Sequence, residues 1–273
     1  MTIQEKMAFM RDNFVISCHE HVRMKAGTTE LDTNYMDSNL RTMDILGVDK
    51  CIVSVPLAAE KHCAPERFIA ANRVTREALK LHPDRFFGMA FLNPGFQKEA
   101  LEELDRCVNE FGFIGVKLYH QYFMDDPVQY PLIEKCIDYD IPILMHCAHV
   151  TDPLCQKLQP RSSDGYHMAN IGRRFPEATF VTGHTGGGGD WQWTIKAIAD
   201  CPNVLIDIGG SVHDRPQVEE TYQYVGADRM LFATDGTWCS GVAKLLGAEI
   251  PEEDRKRIAA GTGLKRFYER AGK

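Results

Sequence analysis

Two histidines spaced two apart carry the first chemical signal of this chain, in Ser17-Cys18-His19-Glu20-His21. Alternate side chains of a strand share a face, so His19 and His21 project the same way. Two neutral imidazoles on one face can hold one divalent metal. Two further donors close apolar runs elsewhere: His146 in ILMHC and Asp235 in MLFATD. Three nitrogens and one carboxylate suit Zn2+, and Mn2+ or Fe2+ also accept that set. Such an ion lowers the pKa of a bound water to about 7 and polarises a neighbouring carbonyl, which equips a site for hydrolysis at neutral pH. Each donor alone has an ordinary reading. A His-x-His pair is often surface, a lone histidine can satisfy a carbonyl, and the Asp of Thr-Asp-Gly-Thr can cap a helix. What distinguishes the four is that each sits at the end of a predicted strand.

Eight apolar runs of strand length recur along the chain: 14–18, 51–56, 86–92, 113–119, 141–147, 179–184, 204–208 and 230–235. Most are nearly continuous in apolar residues, as strands buried on both faces must be, and this points to a parallel sheet. The gaps carry helical periodicity, as at 66–81, 98–111 and 130–139. Asp125-Asp126-Pro127 offers helix caps before a first-turn proline, and Gly47, Gly112 and Gly226 follow helical stretches. Eight alternations predict an α/β fold, a (β/α)8 TIM barrel, as one domain over 1–273. A doubly wound sheet is the competitor, but it often opens with a glycine-rich turn, and the first run here ends in SCHEH. In a barrel the C-terminal strand ends form the reactive rim. That rim would gather His19, His21, Lys117, His120, His146, His149, His184 and Asp235.

Composition narrows the function classes. The chain has 273 residues, 44% hydrophobic and 25% charged, which excludes a disordered, collagenous or coiled-coil protein. A net charge of −7 without a basic block argues against a nucleic-acid binder. No apolar run approaches the ~20 residues of a membrane span, and the N-terminus lacks a signal-peptide core, so a cytoplasmic location is expected. Nine cysteines without a CxxC pair read as reduced thiols. Gly186–Gly189 lacks the Lys-Ser/Thr of a phosphate loop and is expected to turn the backbone tightly instead.

The segments CHEH (18–21), GVKLYHQYFMDDPVQYPLIEKCIDYDIPILMHCAH (115–149), FVTGHTGG (180–187), LFATDGTW (231–238) and AAGTGLKRFY (259–268) resemble the amidohydrolase superfamily. The likeness is to its amidohydrolase-2 branch, which includes relatives of aminocarboxymuconate-semialdehyde decarboxylase, and it spans essentially the whole chain. The resemblance implies His19, His21, His146 and Asp235 as ligands of one divalent metal. It implies His184 as the strand-six histidine that orients or activates a metal-bound water. Lys117 matches a strand-four lysine, carboxylated in two-metal relatives and here expected to bind substrate or pair with a carboxylate. Ser17 departs from the family's usual Asp, which would remove a carboxylate supporting the first histidine.

Further candidates for substrate contact are His120, His149 and His213 in predicted rim loops, Arg161 and Arg215 as carboxylate clamps opening the helices after strands five and seven, and Trp238 as a pocket wall. The segment 148–163, without strong periodicity, is a candidate lid. The expected activity is metal-dependent hydrolysis of a small, carboxylated ester, lactone or amide, with Asp235 as general base and His184 bonding the water or oxyanion. The same ligands would serve a non-oxidative decarboxylase, and a binding barrel without turnover is a further alternative. The expected partners are a small-molecule substrate and further copies of the chain in a homo-oligomer.

Overall fold

The computed structural model describes residues 2–58, 60–187, 191–214 and 216–271. Eight parallel strands pair in chain order: β1 Ile16–His21, β2 Lys50–Ser54, β3 Phe86–Phe91, β4 Gly115–Leu118, β5 Ile143–Ala148, β6 Phe180–Gly187, β7 Val204–Asp207 and β8 Met230–Leu231. Helices link successive strands, giving a single α/β TIM-barrel domain. Backbone bonds across the β8–β1 seam run from Cys18 N to Phe232 O (2.9 Å) and from Asp235 N to His19 O (2.9 Å).

Alternation divides the core. Ile16, Cys18, Ile52, Met89, Leu144, Val181, Leu205 and Leu231 fill the barrel interior, and Phe267 and Tyr268 of the C-terminal helix pack against them. The intervening apolar residues, such as Val116, Ile143, Phe180 and Ile206, pack in the larger cluster between sheet and helices. The predicted punctuation holds. Asp126 caps the 3-10 turn Pro127–Gln129 ahead of the helix Tyr130–Asp138, and Gly47 ends a helix with φ 72°, a conformation that costs other residues. No disulfide joins the nine cysteines. No helix of the described residues is long and apolar enough to cross a membrane.

Three boundaries depart from the sequence expectation. β8 ends at Leu231, so Asp235 stands in a turn beyond the strand with φ 44°. The segment 148–163 contains the helix Pro153–Leu158, too short for periodicity to reveal. Arg161 therefore lies between that helix and the helix Gly165–Arg174 instead of opening one.

Candidate active site

The geometry of β1 depends on one irregularity. Ile16 and Cys18 face the barrel interior, and strict alternation from them would turn Glu20 inward and both histidines outward. The pairing with β2 shifts between Ser17 and Glu20, which inserts an extra residue. Such a bulge reverses the phase. His19 and His21 then converge, with ring centroids 5.0 Å apart.

Asp235 meets both imidazoles. Its Oδ1 lies 3.0 Å from His21 Nε2 and 3.6 Å from His19 Nε2. Among the described residues, His19, His21 and Asp235 form a group whose donor atoms all lie within 4.8 Å of one another. The donor set fits a divalent metal on its own chemistry. His19 Nδ1 sits 2.9 Å from Asp207 Oδ2, which fixes the ring so that Nε2 faces the centre. The carboxylate supplies negative charge, and Lys117 Nζ, a buried cation, already donates to His19 Nε2 at 3.0 Å. Ligand atoms 3.0 to 3.6 Å apart are compatible with metal–ligand bonds of about 2.1 Å. Asp207 also answers the concern raised by Ser17, because the supporting carboxylate reaches His19 from β7. Ser17 Oγ instead accepts from Thr234 N at 3.1 Å.

His184 completes the acidic side. Its Nε2 stands 3.1 Å from Asp235 Oδ2, its Nδ1 2.9 Å from Cys147 O, and its peptide N–H donates to Asp207 Oδ1 at 2.9 Å. Both ring nitrogens face acceptors, an arrangement that favours the doubly protonated ring. His184 and Asp235 adopt φ 50° and 44°. Left-handed backbone costs a non-glycine residue roughly 1–2 kcal/mol, a cost that surrounding contacts must offset. Gly210 makes room for the first of them: a Cβ there would stand 2.8 Å from His184 Cβ.

Burial and charge shape the titrations. Burial and the Lys117 charge lower His19 to about 4, and burial lowers Lys117 to about 8. Burial would depress His184, but the Asp235 hydrogen bond and the Asp235 and Asp207 charges outweigh it and raise its pKa. Burial would likewise lift Asp235, yet the His19 charge and the His184 and His21 bonds hold its carboxyl far below the usual range. The centre thus keeps two ionised carboxylates, Asp207 and Asp235, among neutral or protonated nitrogens.

His146 stands across the cavity. It stacks on Tyr119 at 4.0 Å and meets the edge of His184 at 4.6 Å. Its Nε2 engages Gln159 Oε1 at 3.1 Å, so it adjoins the three-donor group without belonging to it in this structure. A cavity of about 200 Å3 opens here, lined by His146, Gln159, Cys155, His184, Ser211 and Asp235 among others.

Among the described residues, the remaining expected contacts do not line this cavity. His120 Nε2 donates to Ala58 O at 2.7 Å, and His149 Nδ1 bonds Asp164 at 2.9 Å. Arg161 donates to Gln121 O at 2.7 Å. His213 Nδ1 bonds Ser240 Oγ at 2.8 Å and faces a neighbouring cavity with Lys244. Trp238 opens the helix Trp238–Gly247 and packs against the core. Arg215 lies outside the described residues. Sequence reading passed over Asp207, Glu20 and Gln159. The signal for Asp207 was present: a lone carboxylate in the buried run VLIDI demands a partner. Gln159 sits in a segment with no pattern to mark it.

A family model described as amidohydrolase matches residues 18–265. The chain belongs to the amidohydrolase family. Among this amidohydrolase's relatives, gamma-resorcylate decarboxylase from Rhizobium sp. is 34% identical, over 86% of this chain and 88% of its own length. 2-Keto-4-carboxy-3-hexenedioate hydratase from Sphingobium sp. is 23% identical, over 84% of this chain and 81% of its own. A solved dihydroxybenzoic acid decarboxylase from Polaromonas sp., with bound manganese and the inhibitor 2-nitroresorcinol, superposes with a TM-score of 0.72. It is 20% identical, over 94% of this chain and 97% of that one, a likeness that speaks for the fold.

These relatives overturn the expectation of a hydrolase. The named relatives are decarboxylases and a hydratase, not hydrolases. The physical reason for the error is that the donor set specifies where a metal sits, while the bond that reacts is chosen by the pocket around it.

Proposed function

We propose that this amidohydrolase is a metal-dependent, non-oxidative decarboxylase of a small unsaturated or aromatic acid bearing an oxygen beside its carboxylate. The observation that carries this reading is the 34% identity to gamma-resorcylate decarboxylase across nearly the whole chain. The convergence of His19, His21 and Asp235 at the barrel mouth supports it. His19, His21 and Asp235 would hold a divalent metal, with His146 as a fourth ligand if Gln159 releases it. The manganese of the Polaromonas relative makes Mn2+ the first candidate, ahead of Zn2+. When bound, the ion supplies a fixed positive charge that polarises the substrate oxygen beside the carboxylate.

The chain's own groups would do the rest. Loss of CO2 leaves an electron pair on carbon that must take a proton. The His184–Asp235 pair, 3.1 Å apart and facing the cavity, holds that proton at the reacting position. Asp207 keeps His19 in the ligating tautomer and anchors the His184 peptide.

Mn2+-loaded protein incubated with gamma-resorcylate and related hydroxybenzoates should release one CO2 per substrate consumed, and chelation should stop it. The Sphingobium hydratase favours a second reading, addition of water to an unsaturated keto acid. Product gained in mass by one water, with no CO2, would select that reading and exclude decarboxylation.

A further inference from the structure

We propose that Glu20 is a positioning residue: its buried carboxylate holds the Thr234–Gly236 turn, and so fixes Asp235 against His21. The proposal rests on the reading of Asp235 as a metal donor. Glu20 sits between the two histidines, and the bulge in β1 turns it away from the barrel interior. It is only 2% exposed. A carboxylate so placed persists only when hydrogen bonds satisfy it.

Its partners identify its work. The Thr234 hydroxyl donates to Oε2, the Gly236 N–H lies 3.1 Å from both oxygens, and the His21 N–H donates to Oε1 at 2.9 Å. Thr234 and Gly236 flank Asp235, so one carboxylate grips the turn on both sides of the donor. β8 ends at Leu231, three residues before Thr234, so beyond the strand one backbone bond, from Asp235 N to His19 O, carries the seam into this turn. Asp235 nevertheless keeps φ 44° in a conformation that needs outside support. Ser17 Oγ and the His19 carbonyl add two more bonds to the same turn, from Thr234 N at 3.1 Å and from Asp235 N at 2.9 Å. Glu20 ties the peptide of His21 to the turn on both sides of Asp235. A side-chain clamp thereby reinforces the β8–β1 seam where its backbone bonds thin out.

Two readouts test this without relying on turnover. The first is Mn2+ binding by calorimetry to wild type, Glu20→Ala, Glu20→Gln and Thr234→Val. Support for ligands of this kind is worth about 10- to 100-fold in affinity. Glu20→Ala should fall within that range, while Glu20→Gln and Thr234→Val, which each remove part of the clamp, should lose less. The second is amide exchange in the metal-free proteins. The 234–236 amides should exchange at least about tenfold faster in Glu20→Ala, with those of β7 unchanged. If Glu20→Ala does not fold, the two milder variants carry both readouts. Affinity within twofold of wild type in every folded variant, or lowered thermal stability with unchanged affinity and exchange, would overturn the assignment. A wild type that takes up no Mn2+ overturns the metal reading and this proposal together. Wild-type uptake that the variants leave untouched overturns Glu20 alone.

Discussion

On one side of the cavity His19, His184 and Asp207 are buried, Asp235 is partly buried, and the four are bonded to one another across β1, β6, β7 and the turn after β8. On the other, His146 is held by one stacked tyrosine and one amide from beyond the helix Pro153–Leu158, none of whose side chains is buried. Leu154 and Leu158 of that helix are more than half exposed. The contrast separates two jobs. The wall built by β1, β6, β7 and the turn after β8 holds its charged groups in fixed positions, and preorganisation of this kind is what electrostatic catalysis requires. The β5 wall holds His146 and the cavity rim through far fewer buried contacts.

The comparison breaks first at Asp235. Asp235→Asn removes the carboxylate we assign as a metal donor and the charged partner of His184, so turnover should fall about 10³-fold or more in initial-rate assays. A modest loss would mean that the dense wall is scaffolding. Asp207→Asn should weaken Mn2+ binding by about 10- to 100-fold in calorimetry, because His19 loses the carboxylate that sets its tautomer. Gln159→Ala on the sparse wall removes one neutral hydrogen bond and should change the same affinity by no more than about tenfold. Amides of Pro153–Leu158 should exchange far faster than those of β1 and β7, and equal protection would erase the distinction between the walls.

The smallest effect lies at the foot of the sparse wall. Asp164 caps the helix Gly165–Arg174 and bonds both His149 and His167. Burial would raise its carboxyl, but the His167 and His149 bonds outweigh that and hold it well below the usual range. Asp164→Ala should cost about 1 kcal/mol at pH 7 in urea denaturation. A depressed folded pKa stabilises fully above the unfolded value of about 4, and the contribution is lost as pH falls from there. The cost of the substitution should therefore shrink between pH 5 and pH 2.

The barrel was legible because burial on both faces writes strands as apolar runs, and all eight appear in order. His19, His21 and His146 stood out because strand ends are where the fold concentrates chemistry, and Asp235 falls four residues past one. The orientation of His19 and His21 was reached by simple alternation, yet it depends on a bulge that spacing does not announce. Asp207 and Glu20 were overlooked because each sits in a segment already assigned, one to a strand and one to the space between two histidines. Their partners lie 188 and 214 residues away, a separation that local pattern cannot bridge. The reaction itself was misread for a related reason: the candidate donors sit at or just beyond strand ends, while the cavity wall beside them is built partly by the loop 148–163.

The central claim is that His19, His21 and Asp235 act as one metal site. It is tested most directly by the Mn2+ stoichiometry of wild type, His21→Ala and Asp235→Asn, measured by elemental analysis after loading and desalting. The account predicts one ion per chain in the wild type and little or none in either variant with the fold intact. A wild type without metal, or variants that retain a full equivalent, would contradict it.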